Sequence, residues 1–311
     1  MNKLDAIKKK LIILVPVYNE EDCIKIFFDR ISKVINQIAS KYSVTLYFLN
    51  NCSTDKSLEL IKELNSGLFN IKYITYSKNL GYQASLVGGL SSINSDLYFI
   101  IDVDNEDPPE MLLDFLEKYN EGYKIVFGRR KDRHEFYLIK SLRKVYYRLV
   151  HYIADHDFIV DSAEFSLFDN QVKNIILKNN SNSPFLRAEL GFAGFKRCGI
   201  DYKREKRAAG KSNYFTSFLN FTALLTFTIA SIISATSFPL RLIAYTNILI
   251  FLYSFFHYLI FSNLFFNLSF LIIIFMLELA IIAIYIARIY KNQIARPIYT
   301  IDYENSNFDF K

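Results

Sequence analysis

An α/β domain built on a mostly parallel sheet, followed by a membrane-associated C-terminal third, is the architecture this sequence predicts. Three observations predict it. Short apolar runs alternate with amphipathic segments from residue 11 to residue 127, joined by short links, which is how parallel strands wrapped by helices read. Asn-, Asp- and Gly-bearing turns follow the first three runs, and the fourth ends in a pair of aspartates. Formal charges then vanish, with no Asp, Glu, Lys or Arg in Phe215–Leu240 or in Leu242–Leu277. A spanning helix needs roughly 20 apolar residues, so this last third belongs to a membrane.

The elements follow in order. Leu11–Val17 is a buried strand that reaches its end near Pro16. Ile24, Phe27, Phe28, Ile31, Val34, Ile35 and Ile38 recur at helical spacing, which makes Glu20–Ile38 an amphipathic helix. Val44–Leu49 is the second strand. Ser53, Thr54 and Asp55 in the turn after it offer N-caps for a helix over Ser57–Leu64. Ile71–Thr75 is a third strand, Tyr82–Ile93 a helix of small residues, and Leu97–Asp102 a fourth strand. Pro109–Tyr119 is a helix with proline early in it, where the missing N–H costs little. Lys124–Phe127 is a fifth strand.

The 311 residues suffice for one large domain and an appendage. A 51% hydrophobic content and a mean hydropathy of +0.14 are high beside 22% charged residues, and the apolar excess sits in the C-terminal third. Lys8–Lys10 and Leu11–Val15 mimic the start of a signal peptide, but Pro16 and Asn19 interrupt it and no small-residue cleavage site follows. Cys23, Cys52 and Cys198 are too widely spaced for a disulfide framework, and the four histidines match no metal spacing. The net charge of +6 gathers partly at residues 196–211, next to the apolar third. A phosphate-rich ligand or an anionic lipid surface fits that placement better than nucleic acid.

The chemistry concentrates in Ile100–Glu110. Asp102 and Asp104 stand two apart at the end of a strand, so their carboxylates face the same way. Pro108 and Pro109 cannot continue a ladder. Paired carboxylates repel unless a cation or protons offset them, and their hard oxygens suit Mg²⁺ or Mn²⁺. In a parallel sheet the turns 18–21, 50–55 and 78–81 lie on the same edge as this pair, where such sheets bind ligands. Together they describe a nucleotide-diphosphate pocket.

Leu14-Val-Pro-Val-Tyr-Asn-Glu-Glu21, the Asn50–Asp55 turn, Lys78-Asn-Leu-Gly81 and Asp102-Val-Asp-Asn-Glu-Asp-Pro-Pro-Glu110 resemble the successive signatures of glycosyltransferase family 2. Gly128-Arg-Arg-Lys-Asp-Arg133, Ser141 to Leu149, Ala163-Glu-Phe-Ser-Leu167 and Arg207-Ala-Ala-Gly-Lys-Ser-Asn-Tyr214 continue the resemblance. Pro239-Leu-Arg241 and the Arg288–Tyr299 segment are similar to C-terminal marks of its polyisoprenyl-phosphate glycosyltransferases. The resemblance implies a GT-A fold, Rossmann-like with a mostly parallel sheet. It also implies inverting transfer of a sugar from a nucleotide-diphosphate sugar, UDP-glucose or a related UDP-hexose, to a membrane polyisoprenyl phosphate.

Roles follow residue by residue from that resemblance. Asp102 and Asp104 hold the divalent ion, and Glu106 is a third ligand or a solvated loop acid. Pro16, Tyr18, Glu20, Asn50, Asp55, Lys78 and Gly81 line the nucleotide sugar together with Asp102, and Arg207 and Lys211 close over its diphosphate. Arg129, Arg130, Arg133 and Ser141 hold the lipid phosphate. Glu164 is a general base or an orienting group, because a phosphate monoester with a second pKa near ~6 is already largely ionised at neutral pH. The sequence also departs from the pattern: Asn50-Asn51-Cys52-Ser53 replaces Asp-Asp-Gly-Ser, Ser166 replaces an arginine, and Ile284 replaces a glutamate, with Glu278 in the same helix instead. Such a membrane-embedded acid is a functional candidate unless it reaches the interface.

The rivals are a family 2 enzyme acting on another membrane or glycan acceptor and an inactive scaffold with the same fold. A processive synthase would need Gln-x-x-Arg-Trp, and the chain has no Trp. A dinucleotide enzyme would need Gly-x-Gly-x-x-Gly after the first strand. Basic residues flank the apolar third on both sides, which under the positive-inside rule demands an even number of spans. Residues 1–214 are therefore expected as the catalytic domain and the polar stretch 215–240 as an interfacial helix. Residues 241–290 then form two transmembrane helices and 291–311 a cytoplasmic tail. This is an integral protein of the cytoplasmic membrane with its catalytic domain facing the cytoplasm; self-association is left open.

Overall fold

The computed structural model describes residues 8–131, 162–178, 184–210, 236–261, 264–294 and 296–309. The first half contains β1 (Lys9–Val17), α1 (Glu21–Ile38), β2 (Tyr42–Asn50), α2 (Ser57–Glu63), β3 (Asn70–Tyr76), α3 (Tyr82–Ser92), β4 (Leu97–Ile100), α4 (Leu112–Asn120) and β5 (Ile125–Lys131). There follow β6 (Ser162–Asp169), α5 (Asn170–Lys178), α6 (Leu186–Phe192), β7 (Arg197–Lys203), α7 (Phe238–Phe261), α8 (Leu264–Gln293) and β8 (Ile301–Asn307). The strands form one sheet in the order β7-β5-β6-β4-β1-β2-β3-β8.

β4, β1, β2 and β3 lie parallel, with β1 and β2 in register from Lys9↔Tyr42 to Val17↔Asn50. This is the alternation read from the sequence. β6 is antiparallel to both β4 and β5, and β8 is antiparallel to β3. Each face of the sheet carries its own apolar layer. Ile13, Phe48, Phe99 and Phe165 pack with α1 and α4 through Phe27, Ile31 and Phe115. Leu14, Leu49, Ile100 and Phe168 pack with α3, α5 and α6 through Leu86, Leu90, Val172 and Leu190. The near-continuous apolar strands are what burial on both faces requires. Lys173, only 1% exposed, donates to Ile93 O and Asn94 Oδ1 at 2.8 Å each, placing its charge at the C-terminal end of α3.

Among the described residues, two helices are long and apolar enough to cross a membrane, over Phe238–His257 and Leu271–Gln293. Pro239 falls in the first turn of α7, and the Phe238 N–H donates to Thr236 Oγ1 at 2.9 Å just before it. The stretch expected as an interfacial helix lies outside the described residues except for its last five. Glu278 on α8 is 7% exposed and faces α7: its Oε2 accepts from Asn247 Nδ2 at 2.9 Å, and its Oε1 lies 3.1 Å from Thr246 Oγ1. Glu278→Ala is therefore expected to loosen the helix pair by about 1 kcal/mol, the usual worth of such bonds between membrane helices. A lower unfolding midpoint of the detergent-solubilised protein, largely restored by Glu278→Gln, is the check.

The residues expected as a tail supply β8 instead. Thr75 pairs Asp302 and Tyr76 pairs Ile301, while the Ser77 N–H donates to Thr300 O at 3.0 Å. Tyr299 packs edge-on against Tyr76 with ring centroids 6.5 Å apart. After its second long apolar helix the chain thus returns to the sheet.

Candidate functional site

The carboxyl edge of the parallel strands is held in unusual backbone. Among the described residues the non-glycine positions with positive φ are Asn19 (53°), Cys52 (59°) and Asn105 (60°), one each after β1, β2 and β4. Gly81, after β3, has φ 79°. Left-handed backbone is costly for ordinary residues and persists where surrounding bonds impose it. Those bonds are present. Asn19 donates its N–H to Ser53 Oγ at 3.1 Å and accepts from the Thr54 N–H at 2.8 Å. Asn51 accepts from the Leu80 N–H at 2.8 Å and donates to Asn79 Oδ1 at 2.9 Å. The turns are laced into one rim.

Asp102 and Asp104 stand at the middle of that rim. Tyr82 donates its hydroxyl to Asp102 Oδ1 at 2.7 Å. Burial, and then the neighbouring Asp104 and Asp107 carboxylates, push the Asp102 carboxyl up to about 7. Asp104 Oδ1 accepts from the Glu106 N–H at 3.0 Å, which tightens the turn. The loop after β7 runs alongside, with the Glu205 N–H on Glu106 O at 2.8 Å and the Ala208 N–H on Asp104 O at 3.2 Å.

That loop brings two guanidinium groups. Arg204 lies 2.5 Å from Glu106, 3.6 Å from Asp107 and 3.8 Å from Asp104. Arg207 pairs with Glu20 and reaches within 3.7 Å of Asp104. Burial holds the Glu20 carboxyl above its usual range in spite of Arg207. Arg30 on α1 forks onto Glu110 at 2.7 Å and Glu205 at 2.8 Å, tying the loop to the start of α4. Asp107, 1% exposed, accepts from the Tyr202 hydroxyl at 2.5 Å and from Arg130 at 3.3 Å.

Among the described residues no group of three or more His, Cys, Asp or Glu side chains is arranged to enclose a metal ion. Asp102 and Asp104 alone fit a different use. Mg²⁺ and its like are commonly held by one or two carboxylates and completed by substrate phosphates and water.

The sequence model of glycosyl transferase family 2 matches residues 12–182. A Bacillus subtilis protein described as the uncharacterized glycosyltransferase YkcC is 32% identical over 78% of this chain and 75% of its own length. The chain belongs to glycosyltransferase family 2. The prophage bactoprenol glucosyl transferase homolog of Escherichia coli is 27% identical to this glycosyltransferase over 78% of its chain and 77% of the relative. Glucosyl-3-phosphoglycerate synthase of Mycobacterium tuberculosis, solved with Mn²⁺ and UDP, aligns over 70% of this chain and 79% of its own at 14% identity and a TM-score of 0.48.

The glycosyltransferase brings together six of the residues the sequence singles out. Asp102, Asp104, Glu106, Glu20, Arg207 and Arg130 form one charged cluster. Pro16 is the last residue but one of β1, opposite Leu49, Tyr18 is half-buried just beyond the strand, Gly81 is the N-cap of α3, and Lys78 is exposed. Asn50 and Asp55 have work inside the rim: Asn50 Oδ1 caps the Ser53 N–H at 3.1 Å, and Asp55 accepts from the N–H groups of Glu21 and Ser57 at 3.1 and 3.0 Å. Arg129 is not brought to the cluster. Strand alternation turns it away from Arg130, and it pairs with Asp201 at 2.7 Å. Arg133, Ser141 and Lys211 lie outside the described residues.

Sequence reasoning passed over Arg204, Tyr82, Asp107 and Arg30. Arg204 sat within a basic run that reads as one patch, so its separate engagement with three carboxylates had no signature. Tyr82 stood one residue beyond Gly81, close enough to be found had the first turn of α3 been read as part of the rim.

Proposed function

We propose that this glycosyltransferase moves a hexosyl group, with inversion, from a UDP-sugar such as UDP-glucose to a polyisoprenyl phosphate at the cytoplasmic face of a membrane. The observation that carries the reading is a half-buried carboxylate pair, Asp102 and Asp104, with Arg204 and Arg207 reaching Asp104, on the rim of a family 2 domain that continues into two apolar helices. The relatives named for bactoprenol supply the class of acceptor.

Mg²⁺ or Mn²⁺ held by Asp102 and Asp104 would act as a Lewis acid on the departing diphosphate. The chain's own groups do the rest. Arg207 and Lys211 gather the diphosphate's oxygens, Arg207 exchanging Glu20 for phosphate; Tyr82 occupies one Asp102 oxygen. Arg130, held by Asp107 and Tyr202, keeps a positive charge beside the acidic pair. The acceptor phosphate reacts as the anion it already is. Arg133 and Ser141 retain their assignment to that phosphate.

A single assay tests the reading: UDP release from UDP-glucose and related UDP-hexoses, with and without polyprenyl phosphate, in Mn²⁺ and in chelator. Release that needs both lipid and metal is expected. Release indifferent to lipid, or no turnover of any UDP-hexose, would overturn it.

The return of residues 301–307 to the catalytic sheet supports an even number of crossings. The stretch 215–240 then lies along the interface and 241–290 forms a hairpin. In intact cells, a cysteine placed at residue 263 should react with a membrane-impermeant reagent and one placed at Asn305 should not. The reverse pattern would discard this topology.

A further inference from the structure

Glu164 stands beside the acidic pair with one of its oxygens uncommitted. β6 and β4 are antiparallel with Ile100 opposite Ser166, so the same register carried two residues on sets Glu164 opposite Asp102. Alternation along β6 sends Ala163, Phe165 and Leu167 into one apolar layer and Phe168 into the other, which turns Glu164 toward α3. The first turn of α3 serves both acids. Tyr82 binds Asp102 at 2.7 Å, and Gln83 donates from Nε2 to Glu164 Oε1 at 2.8 Å. The same Oε1 lies 2.8 Å from Arg187 Nε on α6. Gln83 is itself fixed, its Oε1 accepting from the Leu186 N–H at 3.0 Å. Ser166 takes no part, because its hydroxyl turns back to Glu164 O at 2.9 Å.

Every bond to this carboxylate among the described residues falls on Oε1. Glu164 is 7% exposed, and its Oε2 is buried with no hydrogen-bond partner among those residues. A buried acceptor left unmade is costly, so a ligand that brings a donor is the natural complement. The acceptor phosphate and the departing diphosphate bring none: the first is largely dianionic near neutrality and the second is anionic too. Two anions face to face would repel. The hexose carries hydroxyl donors, and it is bonded directly to the diphosphate that Asp102 and Asp104 attend.

We infer that Glu164 Oε2 accepts a hydrogen bond from a hydroxyl of the transferred sugar, with Gln83 and Arg187 as positioning residues that lock Oε1 and aim Oε2. This rests on the proposed nucleotide-sugar reading and deepens it: Glu164 selects the sugar and does not abstract a proton from the acceptor.

The test uses the full chain in nanodiscs with Mn²⁺, titrated calorimetrically with UDP and with UDP-glucose, UDP-galactose and UDP-N-acetylglucosamine. The wild type should bind one UDP-sugar more tightly than UDP. Glu164→Ala should lose about tenfold or more of that sugar's affinity, the worth of one hydrogen bond to a charged group, with UDP affinity within about twofold. Gln83→Ala and Arg187→Ala should move the same ratio in the same direction by a smaller factor. Arg187→Lys should recover part of the loss, and Glu164→Gln supplies a variant of matched shape should the alanine fail to fold. Equal weakening of UDP and UDP-sugar would overturn the inference by placing Glu164 on the nucleoside. So would unchanged donor affinities with a raised KM for polyprenyl phosphate, or with a lowered kcat and a shifted pH profile, either of which would place it on the acceptor. A wild type that binds UDP but prefers no UDP-sugar to it would also sink the inference, whereas one that binds neither UDP nor any UDP-sugar would refute the proposed function itself.

Discussion

Asp104→Asn should lower sugar transfer about a thousandfold or more, the scale of the several kcal/mol that a metal ion supplies to developing charge, while the fold survives. The amide keeps an oxygen for the Glu106 N–H that Asp104 Oδ1 now accepts at 3.0 Å, so the turn remains closed. What disappears is the charge on the oxygen that faces Arg204 and Arg207. The transfer rate across a Mn²⁺ titration, together with the unfolding midpoint with and without Mn²⁺, is the measurement. A mutant as active as wild type in chelator would remove the metal from the mechanism.

Arg207→Ala should weaken donor binding about a hundredfold, since a guanidinium that forks onto phosphate makes bonds roughly twice as strong as neutral ones. Its present partners explain why the loss would be specific. Arg207 donates from Nε to Ala209 O at 2.8 Å and pairs with Glu20, so removal also frees the 207–210 turn and takes the half-buried Glu20 from its partner. Arg133→Ala, by contrast, should mainly raise the requirement for lipid acceptor. Separate kinetic titrations of UDP-sugar and polyprenyl phosphate distinguish the two. If both variants changed only the donor constant, the division of the arginines between the two phosphates would be wrong.

The strands and helices up to residue 131 were legible because burial on both faces writes itself into the sequence as apolar runs, and amphipathic α1 writes itself as a 3.6-residue period. The Asp-x-Asp pair was legible for a similar reason: a period of two on a strand puts both acids on one side. β6 carried a recognisable motif, yet its direction depends on how the chain crosses between β5 and β6, which no local spacing encodes. β8 was invisible as a strand. Ile301–Asn307 is an edge segment that ends in four polar residues in a row, and it gains its conformation from pairing with β3. Arg204 and Arg207 look alike in a basic run; only the turn of the loop gives one to Glu106 and the other to Glu20. Arg129 and Arg130 look like one cluster until the pleat sends them apart.

The position of β8 has a consequence for how the protein is made. Its hydrogen-bonding partner, β3, leaves the ribosome more than two hundred residues before it does, counting from Tyr76 to Ile301. During that interval the edge of the nascent sheet is unpaired, and both long apolar helices must be made before the closing strand can be added. An open edge is a template for association with other chains, and domains generally fold during synthesis in chain order. The sheet is therefore completed last, after both long apolar helices have been synthesised. A nascent chain halted shortly after Gln293 should expose β3 to proteolysis, and release of the last few residues should close it.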